Sequence, residues 1–279
     1  MKLWRRGRLQ WAAAALALVA IGASVVALMA VRKGDGASGL VVEAPSPAAA
    51  SSGRTLADPP APAFEVPAPV TLRSSPHEST WAAVRKVAAA RAAPGRRARI
   101  VARIEPRTPE GTATIVLVLE RARDAQGGLW LRVRLPVLPN DTTGWVPRWA
   151  LGGYGIVRTH LVVDLGDRRA TLFRDGRVVF KAPVGIGTAR FPTPRGRFYV
   201  RNKLTRYRNP FYGPIAFGTS ARSATLTDWP AGGFVGIHGT NRPGLLPGRV
   251  SHGCIRLRNA AILRLARLLP IGTPLTIRA

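Results

Sequence analysis

Residues 11–31, WAAAALALVAIGASVVALMAV, are 21 consecutive positions without a charge. A helix of about that length spans a hydrocarbon core of ~30 Å. No polar face interrupts the run, so it does not read as the amphipathic helix of a soluble core. Lys2, Arg5, Arg6 and Arg8 precede it, and Arg32 and Lys33 close it. More positive charge before the span than after it predicts a cytoplasmic N-terminus, residues 1–10, with the rest of the chain exported. The run reads as a single-pass anchor. A cleaved signal peptide is the alternative, but its apolar region is usually shorter and no clean A-x-A site follows.

Whatever folds must therefore come later. Residues 32–70 are rich in Ala, Pro and Ser, with Pro45, Pro47, Pro59, Pro60, Pro62, Pro67 and Pro69. Such a segment buries little and stays extended, at ~3.1 Å per residue, which makes it a disordered spacer. The chain carries 42 Lys+Arg against 14 Asp+Glu, a net charge of +28. That excess suits polyanions such as acidic envelope polymers or anionic lipid, or reflects a bias toward arginine and alanine. No zinc-finger, RRM-like or recognition-helix pattern accompanies it, so nucleic acid is not an expected partner.

Residues 71–151 turn globular. Thr80–Ala93 is alanine-rich and predicts a short helix stopped by Pro94-Gly95. Residues 112–119, TATIVLVL, read as a strand. In 129–135, LWLRVRL, Leu129, Leu131, Val133 and Leu135 alternate with Trp130, Arg132 and Arg134, which predicts a half-buried strand. The polar run 139–144 then turns the chain. The segment WLRVRLPVLPNDTTGWVPRWAL resembles the end of bacterial SH3-like domains. It holds no convergent catalytic residues, so a small β module for binding or spacing is expected.

Residues 152–279 are again mostly β. Strands are expected at 160–165, 169–174, 177–187, 197–200, 234–239 and 273–278, with a hairpin turn at Asp175-Gly176. One helix is expected at 260–269, capped by Asn259 and stopped by Pro270 and Gly272.

This region holds the chain's one cysteine, in 251–259, SHGCIRLRN. A lone thiol in an exported protein needs a reason. A thiolate is a nucleophile, and it forms more readily near cations or a helix N-terminus. It needs a base, and the region offers His160, His238 and His252. His160 opens a strand with no polar motif around it. His238 ends an apolar strand before Gly239-Thr240. His252 lies two residues from Cys254, on the same side of an extended segment. A base is normally oriented by a third group. After Asp175 the only acid is Asp228, so either Asp228 or a backbone carbonyl must hold the imidazole. Residues 151–279 carry a net charge of +17, a field expected to favour a thiolate and an anionic substrate.

GIHGT at 236–240 followed by SHGCIRLRN at 251–259 resembles the L,D-transpeptidase catalytic domain, over about residues 159–279. PVGIGTARFPTPRGRF (183–198) is similar to that family's glycines followed by TPTPxG. The resemblance implies a β-sandwich catalytic domain with one short helix after the nucleophile. It also implies a peptidoglycan acyltransferase that is acylated by carbapenems and needs no cofactor or metal. By position it implies Cys254 as nucleophile, His238 as general base and the Gly239 carbonyl as the group that orients His238. Ser251, His252 and Gly253 match the loop that shapes the nucleophile and the oxyanion site. Arg256 and Thr240 become candidate substrate-binding residues, with a structural role for Arg256 equally open. Asn259 matches the last residue of the motif. Phe191-Pro192 departs from the family's Thr-Pro, and the segment from His238 to Ser251 is compact, which predicts a short substrate-covering loop.

Rival readings remain distinct. Cys254 could be a small buried side chain. His238, His252 and Cys254 could ligate zinc, although no paired metal-ligand spacing supports it. A sortase shares the His–Cys–Arg order but lacks SHGC, and a papain-like peptidase has cysteine before histidine. A catalytically idle wall-binding protein is the non-enzyme alternative.

Overall fold

The computed structural model describes residues 68–72, 75–205, 209–226 and 233–279. The candidate anchor at 11–31, almost all of the spacer and Asp228 lie outside the described residues. Among the described residues, no helix is long and apolar enough to cross a membrane.

The first sheet holds eight strands. They are β1 (Val70–Thr71), β2 (Ser79–Val84), β3 (Ala88–Arg91), β4 (Ile100–Ile104), β5 (Ile115–Arg123), β6 (Leu129–Arg134), β7 (Thr143–Pro147) and β8 (Leu151–Val157). The spatial order is β4-β3-β7-β6-β5-β2-β8, with β1 added along β5. The alanine-rich stretch expected as a helix is instead β2 and β3. Thr80, Ala82 and Val84 are buried in turn, then Ala88 and Ala90. Alanine's helix propensity is worth only tenths of a kcal/mol per residue, less than the burial of an alternating face. Small side chains there let Leu131, Val133 and Val146 pack close.

Strand β6 also differs from expectation, because Trp130 and Arg134 are buried with Leu131 and Val133. The second face is covered. Trp130 packs with Ala122 and Trp145, and its Nε1–H donates to Asp124 Oδ2 at 2.7 Å. Arg134 pairs with Asp141 and donates to the Arg197 carbonyl at 3.2 Å.

The second sheet comprises β9 (Thr159–Asp164), β10 (Arg169–Arg174), β11 (Arg177–Pro183), β12 (Gly185–Gly187), β13 (Gly196–Leu204), β14 (Ala216–Arg222), β15 (Phe234–His238), β16 (Gly248–Ser251), β17 (Ile255–Arg256) and β18 (Pro274–Arg278). Its path is β11-β10-β9-β18-β13-β14-β15-β17-β12-β16. Asp175 and Gly176 adopt φ 49° and 76°, and turn β10 into β11 as expected. Strand β13 pairs with β18 through Gly196–Tyr199, then with β14 from Val200 onward, with a register shift after Val200. One strand thereby serves both halves of the sheet around a shared core that includes Leu161, Phe198, Phe217, Ile237 and Ile255.

The helix α1 (Asn259–Leu268) buries Ile262, Leu265 and Ala266 against that core. Each large apolar side chain contributes about 1.5–3 kcal/mol by leaving water. The two sheets meet at Tyr199, which packs with Ile115 and Leu117 and donates its hydroxyl to the Ile115 carbonyl at 3.0 Å.

Candidate active site

Two short strands bring the motif residues together. Strands β15 and β17 run parallel, with Ile237 opposite Ile255 and His238 opposite Arg256. Ile237 and Ile255 lie almost fully buried in the core. This pairing sets the end of β15 beside the loop that carries Cys254, although the two lie 16 residues apart in sequence. His238, Cys254, His252 and Arg256 line one pocket with Phe211, Tyr212 and Phe234.

The loop is held by its own hydroxyls. Ser251 Oγ donates to the Cys254 carbonyl at 2.6 Å and accepts from the Gly253 N–H at 3.1 Å. Gly253 has φ +109°, a region that disfavours a side chain. Its carbonyl accepts from Thr193 Oγ1 at 2.8 Å, and Thr193 Oγ1 accepts in turn from the Gly187 N–H at 2.8 Å. Thr193 therefore ties the PTPRG turn to the nucleophile loop. No sequence signal beyond the TPTPxG-like match pointed to that role.

His238 is 1% exposed. Its Nδ1 lies 2.6 Å from the Gly239 carbonyl oxygen. A carbonyl only accepts, so Nδ1 carries the proton and Nε2 carries the lone pair. Nε2 is buried without a hydrogen-bond partner among the described residues. Cys254 Sγ accepts a hydrogen bond from the Gly236 N–H at 3.4 Å. A Cβ placed on Gly236 would lie 3.8 Å from both Cys254 Sγ and His238 Cδ2. The thiol and the imidazole thus flank the face of a residue that has no side chain. No hydrogen bond joins Nε2 to Sγ in this state, and such contacts commonly tighten only with substrate bound.

Burial dominates the electrostatics. It pulls His238 down to about 4; the Gly239 bond opposes this and the Arg256 charge adds to it. Burial pushes the Cys254 thiol up, against the Gly236 N–H and Arg256, which both favour the thiolate. The resting pair is a neutral thiol and a neutral imidazole. The nearby cation favours the thiolate, in the expected direction, but losing water costs the sulfur more than that cation returns.

The other expected residues have separate places. Arg256 is buried, with its guanidinium carbon 4.4 Å from the Phe211 ring centroid. The His252 ring is exposed and lies 4.9 Å from the Phe191 ring, so the departure from Thr-Pro supplies an aromatic neighbour. Tyr212, not singled out in the sequence, meets the His238 ring edge-on at 4.8 Å. Thr240 is buried, and its N–H donates to Asn259 Oδ1 at 2.9 Å. Asn259 was expected to cap the helix. It instead forms the first helical residue, and its side chain ties α1 to the segment after His238. His160 stands apart, bonded to Thr276 Oγ1 at 2.9 Å. Among the described residues, no three His, Cys, Asp or Glu side chains are grouped to hold a metal.

A buried imidazole with a fixed tautomer, a thiol beside it and an adjacent glycine-held turn form an arrangement that can carry out acyl transfer. The family model for the YkuD L,D-transpeptidase catalytic domain matches residues 158–277. YkuD of Bacillus subtilis, assigned as an L,D-transpeptidase, is 38% identical over 118 residues, 42% of this chain and 65% of that protein. YqjB of Bacillus subtilis, likewise assigned, is 30% identical over 139 residues, 46% of this chain and 76% of that protein. The chain spans just under two thirds of the length of the YkuD relatives from Bacillus subtilis and Bacillus licheniformis. Among solved structures, the Enterococcus faecium L,D-transpeptidase catalytic domain is 25% identical, covering 43% of this chain and 96% of that one, with a TM-score of 0.32. A likeness at that score adds nothing to the assignment, which rests on the sequence matches. The family-model match, which spans the residues that build the thiol–imidazole pocket, and the identity to these relatives show that the chain belongs to the YkuD L,D-transpeptidase family.

Proposed function

We propose that the protein is a peptidoglycan L,D-transpeptidase with Cys254 as its nucleophile. The observation that carries this reading is the hydrogen bond from His238 Nδ1–H to the Gly239 carbonyl, which leaves Nε2 as a lone-pair base in the pocket of the only thiol. Cys254 Sγ attacks the carbonyl of an L-centre in a stem tetrapeptide, and His238 Nε2 takes the thiol proton. The C–N bond to D-alanine breaks, and the proton passes to the departing amine. An amine of a neighbouring stem then attacks the thioester, gives its proton to His238 and releases the thiol, leaving a 3-3 cross-link. Main-chain N–H groups of the nucleophile loop stabilise the oxyanion, worth about 3–4 kcal/mol per donor. Arg256 and Thr240 are the substrate-binding candidates, and the basic pocket suits stem carboxylates.

The same thioester also serves an L,D-carboxypeptidase, with water as acceptor, or attachment of a protein to the wall. In this reading residues 11–31 anchor the chain in the cell membrane, 32–70 space it outward, 71–151 form an SH3-like module and 152–279 form the catalytic domain on the wall side. Intact-protein mass spectrometry after carbapenem treatment tests the nucleophile. An adduct on the wild type that disappears in Cys254→Ala is expected; an undiminished adduct on the variant overturns it. Incubation with disaccharide-tetrapeptide then separates cross-linking from hydrolysis.

A further inference from the structure

Phe234 opens β15, four residues before His238, and lines the pocket with Cys254. Two guanidinium groups lie against its ring. The Arg201 carbon is 3.7 Å from the centroid and the Arg222 carbon 4.9 Å. Both arginines belong to the second sheet, and the first sheet's loops hold both. Arg201 Nη2 donates to Glu110 Oε1 at 2.8 Å, and the neighbouring Asn202 Nδ2 donates to Glu110 Oε2 at 3.2 Å. The Asn140 side chain bonds the Arg222 backbone twice, accepting from its N–H at 3.0 Å and donating to its carbonyl at 2.8 Å.

We propose that Glu110 and Asn140 are positioning residues for the pocket: through Arg201 and Arg222 the preceding β module sets where the Phe234 wall stands beside Cys254. Arg201 is 2% exposed, and Glu110 is its one carboxylate partner among the described residues. Its Nε end is fixed separately, donating to the Thr219 carbonyl at 2.9 Å. Removing the carboxylate leaves a buried charge without a counter-charge at the free end of the fork. That end then turns toward water and leaves the ring it covers. Asn140 acts on the backbone of the residue paired with Phe234, since Arg222 and Phe234 are partners across β14 and β15. The module is thereby part of the pocket and not only a spacer.

This inference rests on the reading of Cys254 as nucleophile for its kinetic test alone. With disaccharide-tetrapeptide as substrate, Glu110→Gln is expected to raise KM for D-alanine release by about tenfold with kcat nearly unchanged, while Glu110→Asp restores most of the loss. In a Phe234→Leu background, Glu110→Gln is expected to add nothing further. An unchanged KM in Glu110→Gln, or an equal rise with and without Phe234, overturns the proposal. Cys254 is the chain's one cysteine, so iodoacetamide alkylation followed by mass reads the pocket whatever the activity. The native alkylation rate should change severalfold in Glu110→Gln and not in the double variant. Equal rates in wild type and Glu110→Gln overturn the proposal even if the wild type releases no D-alanine. If Glu110→Gln does not fold, Asn140→Ala removes the second clamp without stranding a charge and is read in the same two ways.

Discussion

His238 Nδ1 donates its proton to the carbonyl of the next residue, Gly239, across 2.6 Å. A backbone carbonyl thus does the orienting that a carboxylate does in many nucleophile–base pairs, and it does so without adding a charge. That bond raises the basicity of the imidazole but does not offset its burial. Burial pulls the imidazole down to about 4, where a carboxylate partner would have held it up.

The pH profile should carry that signature. A depressed histidine stays neutral, and so remains a base, until the pH falls through about 4. The acid limb of kcat/KM for D-alanine release is expected near pH 4, well below the ordinary 6.5 of a free imidazole. The same shift makes the folded state bind fewer protons than the unfolded chain. Stability from this group is full above about pH 6.5 and is lost as the pH falls toward 4, by about 3 kcal/mol. Denaturant melts from pH 7 to 4 check the second part; in His238→Gln the loss over that window should shrink.

Cys254→Ser should keep the fold and lose turnover. Oxygen replaces sulfur within the same bond from the Gly236 N–H, so melting should change little. A hydroxyl is far harder to ionise than a thiol, and kcat should fall by about 10³-fold or more. D-alanine release under saturating substrate is the measurement; activity within tenfold of wild type would remove the thiol from the mechanism.

Thr193→Val tests the tie between the PTPRG turn and the nucleophile loop. The substitution keeps the shape but removes the hydroxyl that partners the Gly253 carbonyl and the Gly187 N–H. A stability loss of about 1–3 kcal/mol is expected in urea denaturation. Thr193→Ser, which keeps the hydroxyl, should lose much less. Activity should drop further than stability, because the freed loop carries Cys254.

Gly236 offers a graded steric test. An added methyl meets Sγ and the His238 ring at ordinary contact distance, so Gly236→Ala should fold normally. Gly236→Leu fills the space that the thiol and imidazole share, and should abolish carbapenem acylation while the protein still melts cooperatively. Acylation of the leucine variant at the wild-type rate would show that substrate reaches Cys254 from another side.

Local chemistry was readable in the chain. GIHGT and SHGCIRLRN singled out the thiol and the imidazole as candidates, because rare nucleophiles and their flanking glycines stand out within a few positions; the Gly239 carbonyl came only from the family resemblance, with Asp228 left open by the residues themselves. The Asp175-Gly176 hairpin and the helix after Cys254 were readable for the same reason: φ preference and apolar period are local properties. The alanine-rich stretch at 80–93 was misread, since its strands are chosen by what lies above and below them. Arg134 and Trp130 were placed outside because nothing in their own strand reveals a second covered face. Only the tertiary structure decided how basic the site is. The +17 charge favoured a thiolate, but desolvation depends on atoms from β15, the Phe211–Tyr212 turn and the loop at 251–254 closing together. Only the fold, too, could bring Glu110 and Asn140 to the arginines that flank Phe234, across 91 and 82 positions of chain. The sequence by itself determined which candidate groups stand in the motifs; the packing of distant strands determined their protonation and the wall that stands beside them, because burial and long-range contact are properties of the assembled chain.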